Sequence, residues 1–183
     1  MSEKNKKEKP KPKHYYDVKV ECMIPATLTY KILAEDEHQA VTLIAIPADV
    51  PILEIKGDFF SSKDNIGQDH LQVGIDKFIG PTGGIDDHIN HSCNPNCVLH
   101  IAGNRAMLYS LHAIRENSEI TFDYSVSSTD THDTWKMECK CGEFNCRKII
   151  SGYNYLPPDL RSKYEGVGMT PQFMINKIFI KNI

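Results

Sequence analysis

The chain has 183 residues, of which 40% are hydrophobic and 9% are aromatic, and its formal net charge at pH 7 is −3. These values exclude a fully disordered chain, because a chain of this length and composition can bury roughly 70% of its unfolded surface. The longest apolar run, at residues 43–46, is far shorter than the ~20 residues of a membrane-spanning helix, so no transmembrane helix is expected.

The first 14 residues differ in charge from the rest of the chain. They contain six Lys and two Glu, a net charge of +4, which leaves −7 on the remainder. Residues 1–14 are predicted to be a disordered Lys-rich tail, with Pro10 and Pro12 opposing a helix. The acidic remainder disfavours direct nucleic-acid binding and suits a basic protein substrate.

The N-terminus also bears on the compartment in which the protein is expected. Residues 1–7 lack the apolar stretch of a secretion signal. An intracellular, reducing location is therefore expected, either cytoplasmic or, in a eukaryote, nuclear. In such a compartment the six cysteines are better candidates for metal ligands than for disulfide partners.

The first predicted unit is a small β-β-α appendage at residues 15–46. Apolar residues alternate with polar ones on both sides of a bend at Pro25, at residues 18–22 and 28–32, which predicts a β-hairpin. Asp36 is followed three residues later by Gln39, a spacing typical of a helix cap, so a short helix is predicted through residues 40–44.

From Val50 onward the pattern predicts short strands separated by glycine-containing turns, at residues 52–55, 71–73, 97–101, 107–111 and 120–124. The spacing does not fit βαβ units, so the predicted fold class is mostly β, a β-rich α+β fold. Helical character returns at residues 157–164, and an apolar segment follows at residues 173–180.

Three cysteines within eight residues form the densest chemical signal in the chain. Cys139, Cys141 and Cys146 supply three of the four ligands that a tetrahedral structural zinc site needs. The other dense group of candidate ligands consists of His88, His91, Cys93 and Cys97. This group supplies either the fourth ligand or a separate zinc site, or else consists of buried cysteines and hydrogen-bonded histidines.

Three motifs carry a specific similarity. In chain order they are residues 90–96 (NHSCNPN), residues 119–124 (EITFDY) and the cysteine cluster at residues 139–146. Together they resemble the SET-domain protein-lysine methyltransferases that have a post-SET zinc segment. The resemblance implies a SET-domain fold at residues 47–136, with a knot-like crossing of the first two motifs. It also implies a post-SET zinc segment at residues 137–156 and a C-terminal extension at residues 157–183.

The same resemblance assigns roles to individual residues. It implies that Asn90, His91 and Tyr124 bind S-adenosylmethionine, and that Tyr124 is the catalytic tyrosine. Phe122 occupies the position that limits or permits successive methylations. The implied zinc ligands are Cys93, Cys139, Cys141 and Cys146.

The implied activity is S-adenosylmethionine-dependent methyl transfer to the side-chain amine of a protein lysine. The expected partner is a protein with an accessible lysine, and neither membrane association nor direct nucleic-acid binding is expected. This chemistry requires a neutral amine, although a lysine side chain in water ordinarily titrates at about pH 10.4. An apolar channel beside a positively charged sulfur would lower the pKa of that amine, and a tyrosine hydroxyl can orient it.

One departure from the family favours an alternative function. SET proteins carry a Gly-x-Gly turn near the start of the domain, where the backbone approaches the cofactor, whereas the first glycine here is Gly57. Residues 38–47, where that turn is expected, contain no glycine. The alternative is a catalytically impaired, SET-like, zinc-stabilised protein-interaction module, and weaker cofactor binding is expected in either case.

Overall fold

The structure is a computed structural model that describes residues 14–21, 27–34, 39–61, 64–67, 69–129 and 135–180. Its strands are β1 His14–Glu21, β2 Thr27–Ala34, β3 Ala40–Thr42, β4 Pro51–Ile55, β5 Phe59–Phe60, β6 Leu71–Gly74, β7 Lys77–Ile79, β8 Asn90–His91, β9 Cys97–Ala102, β10 Arg105–Ser110, β11 Thr121–Phe122, β12 Lys136–Glu138 and β13 Ile149–Ser151. Its helices are α1 Pro158–Gly166 and α2 Gln172–Ile180, and short 3-10 helices cover Ile85–His88, Tyr124–Ser127 and Tyr153–Tyr155.

The strands form small sheets rather than one large one. Three sheets have three strands each, in the orders β1-β2-β3, β4-β10-β9 and β5-β7-β6, and the pairs β8-β11 and β12-β13 complete the described sheets. The pair β8-β11 is parallel, whereas the other strand pairs are antiparallel. The predicted mostly β fold class is confirmed.

The predicted N-terminal hairpin is confirmed, but the predicted helix at residues 40–44 is wrong. Strand β1 pairs with β2, and β3 then extends the same sheet through the pairs Ile32↔Thr42 and Ala34↔Ala40. Ala40 and Thr42 are buried and Val41 is half-buried, which is the two-residue period of a strand. The bend at Pro25 and the cap residue Asp36 lie outside the described residues.

The other edge of β3 explains why a strand forms there. Its backbone bonds to the loop before β11, because Thr42 N–H donates to Ser118 at 3.1 Å and Ile120 N–H donates to the Ala40 carbonyl at 2.8 Å. Backbone groups on both edges of this three-residue segment are therefore hydrogen-bonded to segments that are distant in sequence. A helix cap would satisfy fewer backbone groups than the hydrogen bonds that the strand forms along its two edges, so the strand is favoured.

The five strands predicted after Val50 are present, but the last one is shorter than predicted. Strand β11 ends at Phe122, and a 3-10 helix begins at Tyr124 because the Asp123 side chain accepts a hydrogen bond from Ser125 N–H at 2.9 Å. Helices α1 and α2 lie where helical and apolar segments were predicted.

A single main core joins these elements. Ile52, Leu99, Leu108 and Ile120 come from β4, β9, β10 and the approach to β11, and each is at most 1% exposed. Burial of such side chains contributes about 1.5 to 3 kcal/mol each. Among the described residues, neither helix has the length and apolar character needed to cross a membrane.

Candidate functional site

The two central sequence motifs lie against each other, as expected from the resemblance. Strands β8 and β11 run parallel, with Asn90 opposite Thr121 and His91 opposite Phe122. The side chain of Asn96 holds the crossing together, since its amide donates to the Glu119 carbonyl at 2.7 Å and its oxygen accepts from Thr121 N–H at 2.9 Å. A side-chain amide with both a donor and an acceptor can bridge two backbone groups in this way.

Tyr124 projects from the end of β11 into this crossing. Its hydroxyl donates a 2.7 Å hydrogen bond to the Ile89 carbonyl, and its ring centroid lies 5.1 Å from that of Phe122 and 5.5 Å from that of His91. Burial raises the pKa of Tyr124 to about 12, and the negative charges of Glu119 and Asp69 act in the same direction. The hydroxyl is therefore neutral at physiological pH and can donate or accept a hydrogen bond.

A cavity of about 520 Å³ opens beside Tyr124 and Phe122. Buried apolar residues, including Ile89 and Phe122, line one part of it, whereas exposed or half-buried residues with carboxylates line another part. The carboxylates belong to Asp69, Asp86 and Asp87. Burial raises the pKa of Asp86, although a hydrogen bond from Lys56 N–H opposes that shift. The cavity thus combines an apolar end with an acidic approach.

A second cavity of about 300 Å³ lies on the other face of β11 and is mainly polar. Its walls include His91, Thr121, Glu119, Cys141 and Glu143. Successive side chains of a strand point to opposite faces, so Thr121 faces this cavity while Phe122 faces the larger one. One short strand therefore separates two cavities of different chemistry.

Of the three residues expected to hold the cofactor, His91 lines the polar cavity and Tyr124 lines the larger one, whereas Asn90 lines neither. The Asn90 amide donates to Glu119 Oε1 at 2.8 Å. Burial lowers the pKa of His91 to about 4, an effect that the Asp123 charge opposes and the Arg147 charge strengthens, so the imidazole is neutral. Strand β3, which lacks the family's glycines, lies next to Glu119 because Val41 forms a bridge with it.

Four candidate metal ligands, one of which is His91, come together in the structure. The ligand atoms of His91, Cys93, Cys139 and Cys141 all lie within 4.8 Å of one another. The sulfurs of Cys93 and Cys139 are 3.8 Å apart, and sulfurs bound to one tetrahedral zinc at about 2.3 Å would lie about 3.8 Å from each other. The spacing fits a thiolate-bound zinc ion.

Three of the sequence candidates lie outside this close group. Cys146 packs against the small cluster that contains Cys93 and Cys139, and its sulfur is 3.8 Å from the Cys139 carbonyl oxygen. Cys97 instead belongs to the main core, where its thiol donates to Asn96 Oδ1 at 3.3 Å. His88 lines the larger cavity. The structure therefore does not assemble His88, His91, Cys93 and Cys97 into a separate site.

The imidazole of His91 connects the cluster to Tyr124. Its Nδ1 accepts a hydrogen bond from Tyr124 N–H at 3.2 Å and lies 3.4 Å from Asp123 Oδ1; in the tautomer that accepts from Tyr124, the proton is on Nε2. Nε2 lies 3.3 Å from the Cys93 sulfur and can donate to it. His91 is thus a hydrogen-bond partner of a candidate metal ligand.

Sequence reasoning missed three residues that support the site. Asp123 is 1% exposed. Its carboxylate accepts hydrogen bonds from Arg147 at 2.6 Å and from the Tyr164 hydroxyl at 2.7 Å. Arg147 directly follows the cysteine cluster and Tyr164 lies in α1, and the sequence analysis gave neither residue a role. The one available signal was Asp123 itself, an acidic residue within an otherwise apolar strand pattern.

Comparisons with known proteins place this arrangement in a family. The family model of the SET domain matches residues 3–125. The chain is 34% identical over 106 residues to histone-lysine N-methyltransferase trr of Drosophila melanogaster, which is 55% of this chain and 4% of that protein. It is 35% identical over 111 residues to the H3 lysine-36 specific histone-lysine N-methyltransferase of Candida albicans, which is 56% of this chain and 13% of that protein. The chain therefore spans only a small part of these relatives.

Solved structures show the same architecture. The structure of KRYPTONITE in complex with mCHG DNA and SAH has a TM-score of 0.50 and 30% identity, over 61% of this chain and 26% of that chain. A structure of SUVH6 of Arabidopsis thaliana in complex with SAM has a TM-score of 0.51 over 61% of this chain and 30% of that chain, and at 18% identity it shows the fold alone. The family match, which covers more than half of the chain, and the shared fold show that this protein belongs to the SET domain family.

Proposed function

We propose that this protein transfers a methyl group from S-adenosylmethionine to the side-chain amine of a lysine in a protein substrate. The observation that carries the proposal is the pair of cavities on the two faces of β11, with Tyr124 and Phe122 at the apolar end of one and His91 on the wall of the other. The relatives' names as histone-lysine N-methyltransferases support the same activity.

The larger cavity suits the lysine side chain. An ammonium group has no lone pair, so the lysine must lose a proton before its nitrogen can attack a methyl carbon. An apolar environment disfavours the charged form, and so does a nearby positive charge. The apolar end formed by Ile89 and Phe122 therefore favours the neutral amine, while the acidic approach attracts the charged lysine first.

Tyr124 is proposed as the catalytic residue, acting by position rather than by proton transfer. With a pKa raised to about 12 by burial, its hydroxyl remains protonated and is a poor base near neutral pH. Its hydrogen bond to the Ile89 carbonyl holds the oxygen at the apolar end of the cavity. A fixed dipole there can orient the amine lone pair, and correct orientation lowers the barrier substantially. Phe122 packs on the Tyr124 ring and limits the space around the amine.

Asn90, His91 and Tyr124 are proposed to hold the cofactor. S-adenosylmethionine, when bound, supplies a methyl group on a positively charged sulfur. The polar cavity offers acceptors suited to an ammonium group, among them Glu119, whose carboxylate also positions the Asn90 amide at 2.8 Å. SAH in the KRYPTONITE structure, which is 30% identical, supports a cofactor of this class.

Cofactor affinity is expected to be lower than in a SET domain with the Gly-x-Gly turn. Ala40, at the start of β3, is fully buried, and its carbonyl accepts from Ile120 N–H. That carbonyl is therefore already hydrogen-bonded within the fold. Each lost backbone bond to a charged ligand end removes about 1.5 to 3 kcal/mol, so one or two losses weaken binding by roughly tenfold to about 20,000-fold.

A structural zinc ion held by Cys93, Cys139, Cys141 and Cys146 is proposed for the post-SET segment, residues 137–156. The 3.8 Å sulfur separation supports zinc. Cys146 is preferred to His91 as the fourth ligand because the Nδ1 of His91 accepts from Tyr124 N–H, so its Nε2 carries a proton. The Cys146 thiol already interacts with those of Cys139 and Cys141.

The proposed substrate is a basic protein with an accessible lysine, in an intracellular and, in a eukaryote, nuclear setting. Asp69, Asp86 and Asp87 surround the approach to Tyr124, and carboxylates there favour positively charged residues around the target lysine. The histone-lysine N-methyltransferase relatives support both a protein substrate and a nuclear setting.

Methyl transfer from labelled S-adenosylmethionine to lysine-rich proteins, compared between the wild type and Tyr124→Phe, tests the activity. Titration calorimetry with S-adenosylmethionine tests the cofactor site separately. Transfer that depends on Tyr124 is the expected result. Neither binding nor transfer would favour the second candidate, a zinc-stabilised interaction module, which the glycine-free β3 beside Glu119 supports.

A further inference from the structure

Arg147 contacts both the thiolate cluster, which is the proposed ligand set Cys93, Cys139, Cys141 and Cys146, and the segment that carries Tyr124. Its backbone N–H lies 3.4 Å and its Nε 3.5 Å from the Cys93 sulfur, and both donate to it. The far end of the same guanidinium donates from Nη2 to Asp123 Oδ1 at 2.6 Å and from Nη1 to Ser125 Oγ at 3.1 Å. The side chain is 14% exposed, so these contacts form largely away from water.

The buried charge of Asp123 accounts for an arginine at position 147. The Asp123 side chain is fully buried, and a buried carboxylate is costly unless a positive charge and hydrogen bonds compensate it. Arg147 supplies that charge, while Ser125 N–H and the Tyr164 hydroxyl supply two more donors. Metal-bound thiolates also carry negative charge, which the same guanidinium partly offsets.

We propose that Arg147 is a positioning residue that couples the thiolate cluster to the catalytic tyrosine. Asp123 directly precedes Tyr124, so the ion pair with Arg147 fixes the backbone from which the tyrosine projects. A guanidinium is planar and rigid, so a displacement at the Cys93 end is transmitted to the Asp123 end. The metal segment thereby determines where the Tyr124 hydroxyl lies.

The coupling is tested at both ends in the full chain. Cobalt(II) in place of zinc reports on the Cys93 end through its thiolate charge-transfer absorption, which shifts when a hydrogen bond to the sulfur is removed. Hydrogen exchange of residues 121–127 reports on the Tyr124 end. Arg147→Met removes the bridge and Arg147→Lys keeps the charge without the planar fork. Lys140→Met is the matched control, because the Lys140 side chain is 82% exposed in the same segment.

With cobalt bound, Arg147→Met should shift the charge-transfer absorption and raise exchange of residues 121–127 about tenfold or more, while residues 139–146 remain protected. Arg147→Lys should raise exchange at residues 121–127 by a similar factor. Lys140→Met should match the wild type in both measurements. If either Arg147 variant left exchange at residues 121–127 unchanged with metal bound, the coupling would be overturned.

A measurement on the wild type covers the case in which the Arg147 variants do not fold. Removal of the metal with a chelator should raise exchange at residues 121–127 as well as at residues 139–146, and a rise confined to residues 139–146 would contradict the proposal.

One further experiment rests on the proposed function: Arg147→Met should lower kcat about 100-fold, with the peptide KM within about twofold of the wild type. A wild-type protein without methyl transfer would remove the proposed function, while the spectral and exchange results would still decide the coupling.

Discussion

The backbone N–H of Tyr124 donates a 3.2 Å hydrogen bond to Nδ1 of His91, although 33 positions separate the two residues in sequence. The same imidazole places Nε2 3.3 Å from the sulfur of Cys93. A single buried side chain therefore touches both the proposed catalytic residue and the proposed metal centre.

Tyr124→Phe should abolish most of the methyl transfer while leaving the fold intact. The change removes the hydroxyl that bonds the Ile89 carbonyl at 2.7 Å, so kcat should fall about 100-fold and stability by only about 1 kcal/mol. Tyr155→Phe is the control, because Tyr155 is 53% exposed and does not line the cavity. Steady-state kinetics and thermal unfolding measure the two effects, and equal activity of both variants would argue against a catalytic Tyr124.

Phe122→Tyr should shift the products toward monomethyl-lysine. Phenylalanine at this position has no hydroxyl to hold a water molecule or crowd the amine, so the wild type should form di- or trimethyl-lysine. The side chain is 7% exposed and its ring centroid lies 5.1 Å from that of Tyr124, which places it close to the reacting group. Mass spectrometry of a methylated peptide distinguishes the products, and exclusive monomethylation by the wild type would contradict the prediction.

Cys93→Ser should lower the zinc content, whereas Cys97→Ser should not. Both cysteines are buried, at 5% and 0% exposure, but only Cys93 has its sulfur 3.8 Å from that of Cys139. Loss of a ligand from a closed thiolate site removes folding free energy as well as metal, because metal binding and folding are coupled. Elemental analysis of both purified variants decides the point, and full zinc occupancy in Cys93→Ser would refute the proposed ligand set.

Stability should fall at alkaline pH as buried tyrosines ionise. Burial raises the pKa of Tyr124 to about 12, and burial also raises those of Tyr153 and Tyr164. Since the unfolded value is near 10, the stabilisation from all three is complete below about pH 10, and the part from Tyr124 disappears between about pH 10 and 12. For Tyr124 alone the loss amounts to about 2 to 3 kcal/mol. Unfolding free energies measured together with tyrosinate absorbance test this, and tyrosines that all titrate near pH 10 without loss of stability would contradict it.

Tyr164→Phe should destabilise the fold more than removal of an ordinary surface hydroxyl. Its hydroxyl donates to the buried Asp123 carboxylate at 2.7 Å, and a hydrogen bond to a charged group contributes about 1.5 to 3 kcal/mol. Denaturant unfolding near neutral pH measures the change. A loss below about 0.5 kcal/mol would show that the docking of α1 does not depend on this contact.

The sequence by itself determined the elements whose causes are local. Alternating polarity predicted the hairpin of β1 and β2, glycine-separated apolar runs predicted the short strands, and the compact Cys139–Cys146 cluster indicated a metal segment. The resemblance carried by residues 90–96 and 119–124 also led to the family and to the crossing of these two segments. Each of these signals is contained in a few neighbouring residues, so no contact with distant chain was needed.

Only the tertiary structure decided the features whose cause lies far along the chain. Ala40–Thr42 became a strand instead of the predicted helix because β2 on one side and residues 118–120 on the other satisfy its backbone. Likewise, nothing in the sequence joined Asp123 to Arg147, 24 positions away, since a buried carboxylate can be compensated by any suitably placed cation. Local patterns specify which backbone conformations are favourable, whereas the partners of buried polar groups depend on how the whole chain packs.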